Sequence, residues 1–270
     1  MTTSSILNYL LSQYDLFLLV MAALAVIVFI ALNFIEVGYG ITIDKKWGFA
    51  INNKIAWFSM EMPVFVLMIV LCLFSPRMIS FDLSTSLVPL IIFLFFQTHY
   101  IRRSLIFPFL LKGRSKMPLI VMFMGVLFNL CNAFMQGGWL FFKSPESMYS
   151  INWLWTPQFI IGALIYFGGM ALNIHSDKII LSLRKDGDTK HYLPSKGFFK
   201  YVTGAHYFGE VIEWIGFAIL TWSVSGLVFA FWTLANLVPR ANAIYNKYKK
   251  MFGEETIKER KLKRIFPHLY

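Results

Sequence analysis

Three ionisable side chains stand at the start of an apolar run, in the segment GAHYFGEVIEWIGF that covers residues 204–217. His206, Glu210 and Glu213 are spaced by four and then three residues, so a helix would place all three on one face. Trp214 lies next to them. Carboxylates that enter a segment at membrane depth are energetically expensive, so we interpret this face as part of a functional site.

Other polar side chains enter apolar runs elsewhere in the chain. Glu61 lies within IAWFSMEMPVF, and no Lys or Arg stands within a helical turn to pair with it. The segment FFQTHYIRRS carries Gln97, His99, Tyr100, Arg102 and Arg103, and the segment GGMALNIHSDKIILSLRK carries Asn173, His175, Asp177, Arg184 and Lys185. Taken singly, Tyr100 fits an interfacial aromatic belt, and Arg102 and Arg103 fit snorkelling anchors. Taken together, these groups predict a polar cavity inside a helical bundle.

Composition indicates what kind of protein holds these groups. Of the 270 residues, 57% are hydrophobic and only 14% are charged, and the mean hydropathy is +0.61. These values are typical of a multi-span membrane protein rather than of a soluble domain. The two cysteines, Cys72 and Cys131, lie inside apolar runs, so the sequence implies no disulfide framework.

Apolar runs of sufficient length locate the membrane spans. The predicted spans are Leu16–Ile35, Ile55–Phe74, Leu83–Phe96 with a continuation toward Tyr100, Pro118–Phe142, Pro157–Asn173 and a long stretch from Phe208 to Val238. If the last stretch breaks near Ser223–Ser225 into two helices, 23 of the 25 Lys and Arg residues fall on one side of the membrane. A single helix would divide them 14 to 11. The positive-inside rule therefore favours the break.

The predicted fold is an all-α, multi-pass membrane protein with seven transmembrane helices, its N-terminus outside and its C-terminal tail in the cytoplasm. The host membrane would be a bacterial inner membrane or, in a eukaryote, the endoplasmic reticulum. The charge distribution also explains the net charge of +11 and the pI of 9.6 without a nucleic-acid partner. Basic loops and a basic tail favour contact with anionic membrane lipids, and they can also bind an anionic cytoplasmic ligand.

Sequence motifs narrow the chemistry. The five histidines include no pair at a spacing of three or four, so we expect no metal site of the histidine-rich kind. The chain lacks G-x-G-x-x-G, G-x-x-x-x-G-K-[ST] and G-x-S-x-G, so side chains would have to hold a phosphate-bearing cofactor. The cations on the correct side of the membrane are Arg114, Arg184, Lys185 and Arg240. These residues indicate a cytoplasm-facing site for an anionic cofactor and an apolar substrate.

Several longer segments resemble one enzyme family. NIHSDKIILSLRK, GFFKYVTGAHYFGEVIEWIGFAILTWS and KMF resemble the C-terminal half of the steroid 5α-reductases, and GYG…AWFSMEMP and HYIRRSLIFPFLLKGRSKMP resemble the N-terminal half. The resemblance runs from about Gly38 to Phe252, and its most specific pattern is G-x-x-x-x-G-E-x-x-E-W at 204–214. It implies one seven-helix reductase domain over residues 1–270. In that domain NADPH would reduce the carbon–carbon double bond of a 3-oxo-Δ4 steroid.

The resemblance also divides the chain between the two ligands. Residues 1–117 would supply the substrate-side helices 1–3, and residues 118–270 would supply helices 4–7 and most of the cofactor site. It implies that Glu61 binds the steroid carbonyl and that Tyr100 donates the proton, with Trp57 and Met60 on the substrate side. An apolar cavity disfavours the charged form of a carboxyl group, so Glu61 would stay protonated and donate a hydrogen bond. The pair would then act as an oxyanion hole worth a few kcal/mol per donor.

The implied cofactor contacts come from the later helices and loops. They fall on Arg114, Asn173, Asp177, Arg184, Glu210, Trp214, Arg240 and Tyr248. His191, Tyr192 and His206 occupy further cofactor positions of the family with residue types that differ from the usual ones, and Lys185 joins them through its charge. The resemblance gives Glu213 no such role, so we expect Glu213 to form a structural bond between helices.

Three other functions remain open from the sequence. Met60 stands where family members often have Gln, which keeps open a reductase of another conjugated lipid, such as an enoyl thioester or a polyprenol-type substrate. A membrane methyltransferase of the isoprenylcysteine kind would share the cofactor end but would not need Glu61 and Tyr100. A transporter is the third, although the chain has neither paired broken helices nor an inverted repeat. The resemblance favours the steroid reductase, with no obligate protein partner.

Overall fold

The computed structural model describes residues 3–35, 47–112, 115–185, 188 and 190–270. Within these residues the chain forms eleven α-helices. They are α1 (Thr3–Ser12), α2 (Tyr14–Phe34), α3 (Asn53–Leu73), α4 (Pro76–Ile79), α5 (Leu83–Tyr100), α6 (Phe107–Leu110), α7 (Leu119–Gly138), α8 (Pro157–Ser182), α9 (Ala205–Thr221), α10 (Val224–Phe252) and α11 (Glu254–Glu259). Two π-helical segments, Ile101–Ile106 and Trp139–Lys143, continue α5 and α7 respectively.

Six helical stretches of the described residues are long and apolar enough to cross a membrane. They are Tyr14–Phe34, Asn53–Leu73, Leu83–Leu110, Leu119–Lys143, Pro157–Ser182 and Val224–Phe252. The chain is therefore a multi-pass membrane protein, as its composition predicts. Helix α9 has 17 residues and carries the two carboxylates Glu210 and Glu213.

The long apolar stretch 208–238 contributes to two helices, as the charge distribution predicts. Helix α9 ends at Thr221, and Trp222 adopts a left-handed conformation with φ 47°. Ser223 then caps the next helix, because its hydroxyl accepts a hydrogen bond of 3.0 Å from the Gly226 N–H at the start of α10. The chain reverses at this point, so α9 and α10 pack against each other.

Two helices extend well beyond the apolar runs that predict them. Helix α8 continues past Asn173 to Ser182, and α10 continues past Pro239 to Phe252. A spacing of four places Arg240, Ile244 and Tyr248 on one face of the α10 extension. Among the residues that the sequence assigns to a cofactor, Asp177 lies on the α8 extension, and Arg240 and Tyr248 lie on the α10 extension.

Helices α8 and α9 approach each other more closely than side chains would allow. The contact is lined by glycine on both sides, at Gly162 and Gly169 of α8 and at Gly209 and Gly216 of α9. A Cβ atom on Gly169 would collide with the α9 backbone at Gly209 and Glu213. The close approach lets the Asn173 side chain donate a hydrogen bond of 2.9 Å to the carbonyl of His206. Glycine thus fixes the relative position of two helices that carry site residues.

A small sheet departs from the all-helical expectation. Strand β1 (Ala50–Asn52) pairs antiparallel with strand β2 (Lys116–Pro118). The sheet brings the start of α3 beside the start of α7, and the Asn52 side chain caps α3 by accepting from the Lys54 N–H at 2.8 Å.

The residues after α11 fold back onto the segment that precedes α9. The Thr203 and Gly204 N–H groups donate to the carbonyls of Lys263 and Arg264, both at 2.9 Å. Ile265 is fully buried among side chains of α9 and α10. The end of the chain therefore supports the N-terminal end of α9.

Candidate active site

A cavity of about 450 Å³ lies between α2, α3, α5, α7, α9 and α10. Its walls are largely apolar, with Val28, Leu32, Phe128, Phe229 and Trp232 among the lining residues. All four side chains that the sequence assigns to the substrate, Trp57, Met60, Glu61 and Tyr100, line this cavity. Residues of α7, α9 and α10 also line it.

Glu61 lies on the buried face of α3, where its side chain is 9% exposed. Trp57 precedes it by one turn on the same face, so both side chains point into the bundle. The Asn129 amide of α7 donates to Glu61 Oε2 at 3.3 Å and to the Met60 carbonyl at 2.8 Å. The Glu61 carboxyl group therefore lies at the cavity wall with one hydrogen-bond donor fixed beside it.

Tyr100 is the last residue of α5 and is 3% exposed. Its ring packs against Phe96, His99 and Trp214, with centroid distances of 4.7, 5.0 and 6.0 Å. The Tyr100 hydroxyl accepts a hydrogen bond of 2.9 Å from the Asn132 amide of α7. Rings on three sides hold the Tyr100 side chain in place, so its hydroxyl has a defined position at the cavity.

The π-helical segment after Tyr100 turns two consecutive arginines inward. Arg102 binds Asn173 at 2.7 Å and forms an ion pair with Asp177 on α8. Arg103 stacks over the ring of Trp57 at 4.7 Å, and its guanidinium lies 3.9 Å from Glu210. Both arginines therefore bind groups inside the bundle, in agreement with the polar cavity that these residues predict when they are taken together.

A second cavity, of about 230 Å³, adjoins the first. The two share lining residues, which are Leu32, Ile35, Trp57, Arg103, Tyr207 and Arg240. Nine titratable side chains among the described residues line the smaller cavity, and three of them are arginines. They are Arg103, Asp177, Arg184, His191, Tyr192, His206, Tyr207, Arg240 and Tyr248. The two cavities therefore form one elongated site with an apolar part and a cationic part.

Arg184 and His191 form a pair at the smaller cavity, with 2.5 Å between the Arg184 guanidinium and His191 Nδ1. Burial, with the charges of Arg184 and Lys247, lowers the pKa of His191. Neutral His191 can accept from Arg184, and the arginine keeps its other N–H groups for a ligand. On the exposed side, the Tyr192 hydroxyl donates to Asp188 at 2.8 Å.

Comparison with known proteins identifies the family. Residues 115–270, more than half of the chain, match the family model of the 3-oxo-5-alpha-steroid 4-dehydrogenases. The chain belongs to this family. It is 36% identical to 3-oxo-5-alpha-steroid 4-dehydrogenase 1 of Macaca fascicularis over 87% of this chain and 86% of that protein.

This steroid 5α-reductase family member also has relatives in human and in a plant. The human 3-oxo-5-alpha-steroid 4-dehydrogenase 1 is 43% identical over 65% of each chain, slightly less than two thirds of its length. The steroid 5-alpha-reductase DET2 of Arabidopsis thaliana is 32% identical over 89% of this chain and 90% of that protein. As a member of this family, the chain is an oxidoreductase.

The elongated site of this steroid 5α-reductase family member contains most of the predicted cofactor residues. Glu210 and Trp214 line the larger cavity, Arg240 lines both, and Asp177, Arg184, His191, Tyr192, His206 and Tyr248 line the smaller one. Asn173 lines neither cavity; it is 1% exposed and also contacts Glu210 Oε2 at 3.4 Å. Lys185 is exposed and lines neither cavity. Arg114 lies outside the residues that the structure describes.

Glu213 forms the interhelical bond that the sequence predicts. Its Oε1 atom lies 2.8 Å from His99 Nδ1, which joins α9 to α5, and Glu213 itself is fully buried. His99 lines the larger cavity and its ring contacts Tyr100 and Trp214. The His99–Glu213 contact therefore fixes the position of the His99 ring, which packs between Tyr100 and Trp214 at the cavity.

Sequence reasoning missed a row of amides on α7. Asn129, Asn132 and Gln136 are 5%, 0% and 3% exposed, and their spacing of three and four places them on one helix face. Polar residues at this spacing within an apolar run were a readable signal. Arg103 was noted in the sequence but not assigned to the site that it joins.

The residues of the smaller cavity fit a phosphate-bearing dinucleotide. Arg184 and Arg240 supply guanidinium groups, which bind phosphate well because their planar N–H groups match its oxygens. His206 Nδ1 is buried and has no hydrogen-bond partner among the described residues, and His206 lines this cavity. A buried polar atom without a partner is costly, so a bound polar ligand at His206 would relieve that cost.

Proposed function

We propose that the chain catalyses the NADPH-dependent reduction of the Δ4 carbon–carbon double bond of a 3-oxo-Δ4 steroid, giving the 5α-reduced steroid. The observation that carries this proposal is that Glu61 and Tyr100 line the same largely apolar cavity. Membership of the steroid 5α-reductase family supports the same reaction. An apolar cavity suits a steroid ring system because binding removes apolar surface from water.

In the proposed mechanism, Glu61 and Tyr100 bind the 3-oxo group of the steroid. When bound, NADPH supplies the hydride that adds to the β-carbon of the enone. Negative charge then grows on the carbonyl oxygen, where hydrogen bonds from protonated Glu61 and from Tyr100 stabilise it. A proton taken up from solvent then adds at the α-carbon and completes the saturated ketone, so the net reaction consumes one hydride and one proton. The apolar walls exclude water, which strengthens both hydrogen bonds.

The proposed cofactor site extends from the smaller cavity into the larger one. Arg184 and Arg240 would bind the phosphates, while Glu210 and Trp214 would contact the nicotinamide or ribose end in the larger cavity. Asp177, His191, Tyr192, His206 and Tyr248 would complete the wall of the smaller cavity. We propose that Asn173 acts indirectly, since its amide contacts Glu210 and the carbonyl of His206. This arrangement requires no protein partner and no nucleic acid.

A second candidate substrate class follows from Met60, which lines the larger cavity on α3. A Cβ atom on Gly125 of α7 would collide with the Met60 side chain, so these two residues pack directly against each other. An apolar thioether at this position favours an apolar contact with the substrate. A conjugated lipid other than a steroid would then be reduced by the same Glu61 and Tyr100.

The assay that tests the proposal uses the purified protein in detergent or lipid, with a 3-oxo-Δ4 steroid and NADPH. We expect NADPH consumption together with formation of the 5α-reduced product. Reduction of an enoyl thioester or polyprenol-type lipid, but not of the steroid, would replace the substrate class. Co-purification with S-adenosylmethionine instead of NADP(H) would refute the reductase.

The topology completes the proposal. We propose that α9 is also a membrane span, which gives seven spans with the N-terminus outside and the C-terminal tail in the cytoplasm. At about 1.5 Å per residue, its 17 residues measure about 26 Å, close to the roughly 30 Å hydrocarbon core. The reversal at Trp222 and Ser223 supports two spans rather than one.

Cysteine labelling tests this topology. Single cysteines placed near Lys116, Lys196 and Lys258 should react with a reagent that is confined to the cytoplasm. Cysteines near Arg77 and Lys143 should react only from the opposite side, because the positive-inside rule places the basic segments in the cytoplasm. Labelling of Lys258 and Arg77 sites from the same side would leave an even number of spans between them and refute the arrangement.

Neutralising Arg184 should weaken NADPH binding more than NADH binding. If Arg184 binds the 2′-phosphate, Arg184→Ala should cost about 1.5–3 kcal/mol of NADPH affinity, the range for hydrogen bonds to charged groups. Titration of both nucleotides with the purified variant would measure this. Lys185→Ala is the matched control, since the neighbouring Lys185 is exposed and lines neither cavity. A larger selective loss from Lys185→Ala than from Arg184→Ala would assign the 2′-phosphate to Lys185.

A further inference from the structure

Helix α7 carries three buried amides on the face that meets the proposed catalytic residues. Asn129 contacts Glu61, Asn132 contacts Tyr100, and Gln136 contacts Asn132. Burying an amide within the membrane is costly unless it makes hydrogen bonds. One helix thus provides a hydrogen-bond donor to each of the two groups that would act on the carbonyl.

The bonds around Asn132 fix which way its amide points. Gln136 Nε2 donates to Asn132 Oδ1 at 3.4 Å and to the Ser225 carbonyl of α10 at 3.1 Å. Because the Asn132 oxygen faces a donor, its Nδ2 group faces Tyr100 and donates to the hydroxyl at 2.9 Å. The Tyr100 hydroxyl is therefore bound to α7 through its oxygen.

A tyrosine hydroxyl has one hydrogen to donate, and its oxygen can accept. The Asn132 Nδ2 group can only donate, so the Tyr100 oxygen is the acceptor in their hydrogen bond and the Tyr100 hydrogen takes no part in it. It is directed away from Asn132, and Tyr100 lines the larger cavity. An accepted hydrogen bond also polarises the hydroxyl, so it becomes a stronger donor to the next acceptor.

We propose that Asn132 is a positioning residue for the reaction, which orients the Tyr100 hydroxyl so that its hydrogen points at the substrate carbonyl. The inference rests on the proposed function, in which Tyr100 donates to that oxygen. Gln136 supports the same arrangement from behind, because it holds the Asn132 amide and is itself anchored to α10. Asn132 itself lines neither cavity, so it acts through Tyr100.

The test is a double-mutant cycle between Asn132 and Tyr100. Asn132→Leu should lower kcat roughly 5- to 10-fold, the scale of one lost hydrogen bond, and leave NADPH affinity unchanged. In the Tyr100→Phe background the same substitution should lower kcat no further, because no hydroxyl remains to be oriented. A merely structural role would lower kcat by the same factor in both backgrounds, and that result would overturn the inference.

A second variant covers the case in which Asn132→Leu does not fold. Gln136→Met keeps the volume and removes the anchor of the Asn132 amide, so it should lower kcat in the Tyr100 enzyme and not in the Tyr100→Phe background. An equal loss in both backgrounds again refutes the positioning role. Failure of the proposed function has a different signature, since Tyr100→Phe alone would then retain its turnover.

Discussion

Glu61→Gln and Tyr100→Phe should each lower steroid turnover by roughly 10²–10³, the scale of a lost oxyanion donor. Gln keeps the shape of Glu61 but polarises the carbonyl less than a carboxylic acid does. Phe removes the Tyr100 hydroxyl and leaves the ring packed against Phe96 and Trp214. Steady-state NADPH consumption with a 3-oxo-Δ4 steroid measures both effects.

The same variants should bind NADPH with nearly unchanged affinity, because the proposed roles of Glu61 and Tyr100 lie with the substrate. Both donors serve one oxygen atom, so the double variant should lose less than the product of the two single losses. Near-full turnover in both single variants would show that neither group acts on the carbonyl. Loss of NADPH binding in parallel with turnover would instead indicate damage to the fold.

Gly169→Ala should destabilise the protein, whereas Gly168→Ala one residue earlier should not. A methyl group on Gly169 meets the α9 backbone, which cannot move aside as a flexible side chain can, so we expect a loss of about 1–3 kcal/mol. A Cβ atom on Gly168 has no neighbour within 4 Å, and alanine favours a helix over glycine by up to about 1 kcal/mol. Thermal unfolding of the two purified variants measures the difference.

The glycine variants also test how the site is held. Asn173 is one turn from Gly169 on α8 and contacts Glu210 on α9, so separating the helices should weaken NADPH binding in Gly169→Ala alone. Equal melting temperatures for the two variants would show that the helices can separate at no cost. Their close packing would then contribute nothing to the site.

The helix break between α9 and α10 could be predicted because Lys and Arg residues accumulate on the cytoplasmic side of a membrane protein. Moving the basic tail to the other side of the membrane would violate the positive-inside rule, and hydropathy alone could not decide the case. The ends of α8 and α10 could not be predicted in the same way. Hydropathy reports where a helix meets lipid, whereas α10 continues through Pro239 to Phe252 because its later turns pack on the rest of the protein.

Contacts between residues far apart in the chain are the part of the candidate site that could not be predicted from the sequence. Arg102 and Asp177 are 75 residues apart in the chain, and no periodicity links them. The sequence predicts that both lie near one polar cavity, but it does not predict that they form an ion pair with each other. The row of amides on α7 shows the opposite case, since the spacing of Asn129, Asn132 and Gln136 was visible. The role of these amides could not be predicted, because it depends on their contacts with Glu61 and Tyr100, which lie on other helices.

The roles of individual residues came from the family resemblance rather than from the residues themselves. The sequence shows Glu61 within an apolar run, and the structure puts it on the buried face of α3, at the same cavity as Tyr100. That Glu61 would bind a carbonyl and Tyr100 would donate a proton remains a prediction. Arg114 illustrates a further limit, since it lies outside the described residues.

The π-helical segment that follows Tyr100 has a consequence for insertions and deletions. In this segment the Phe107 N–H bonds to the carbonyl of Arg102, five residues back, so it holds one more residue per turn than an α-helix would. Deleting a single residue there would restore a regular helix, and because the π-helical turn already accommodates one extra residue, the chain beyond it would keep nearly its present orientation about the helix axis. The side chains within the segment would instead turn relative to α5, and this would move Arg103 away from the junction of the two cavities. The length of this segment, as much as its composition, is therefore part of what the enzyme must conserve.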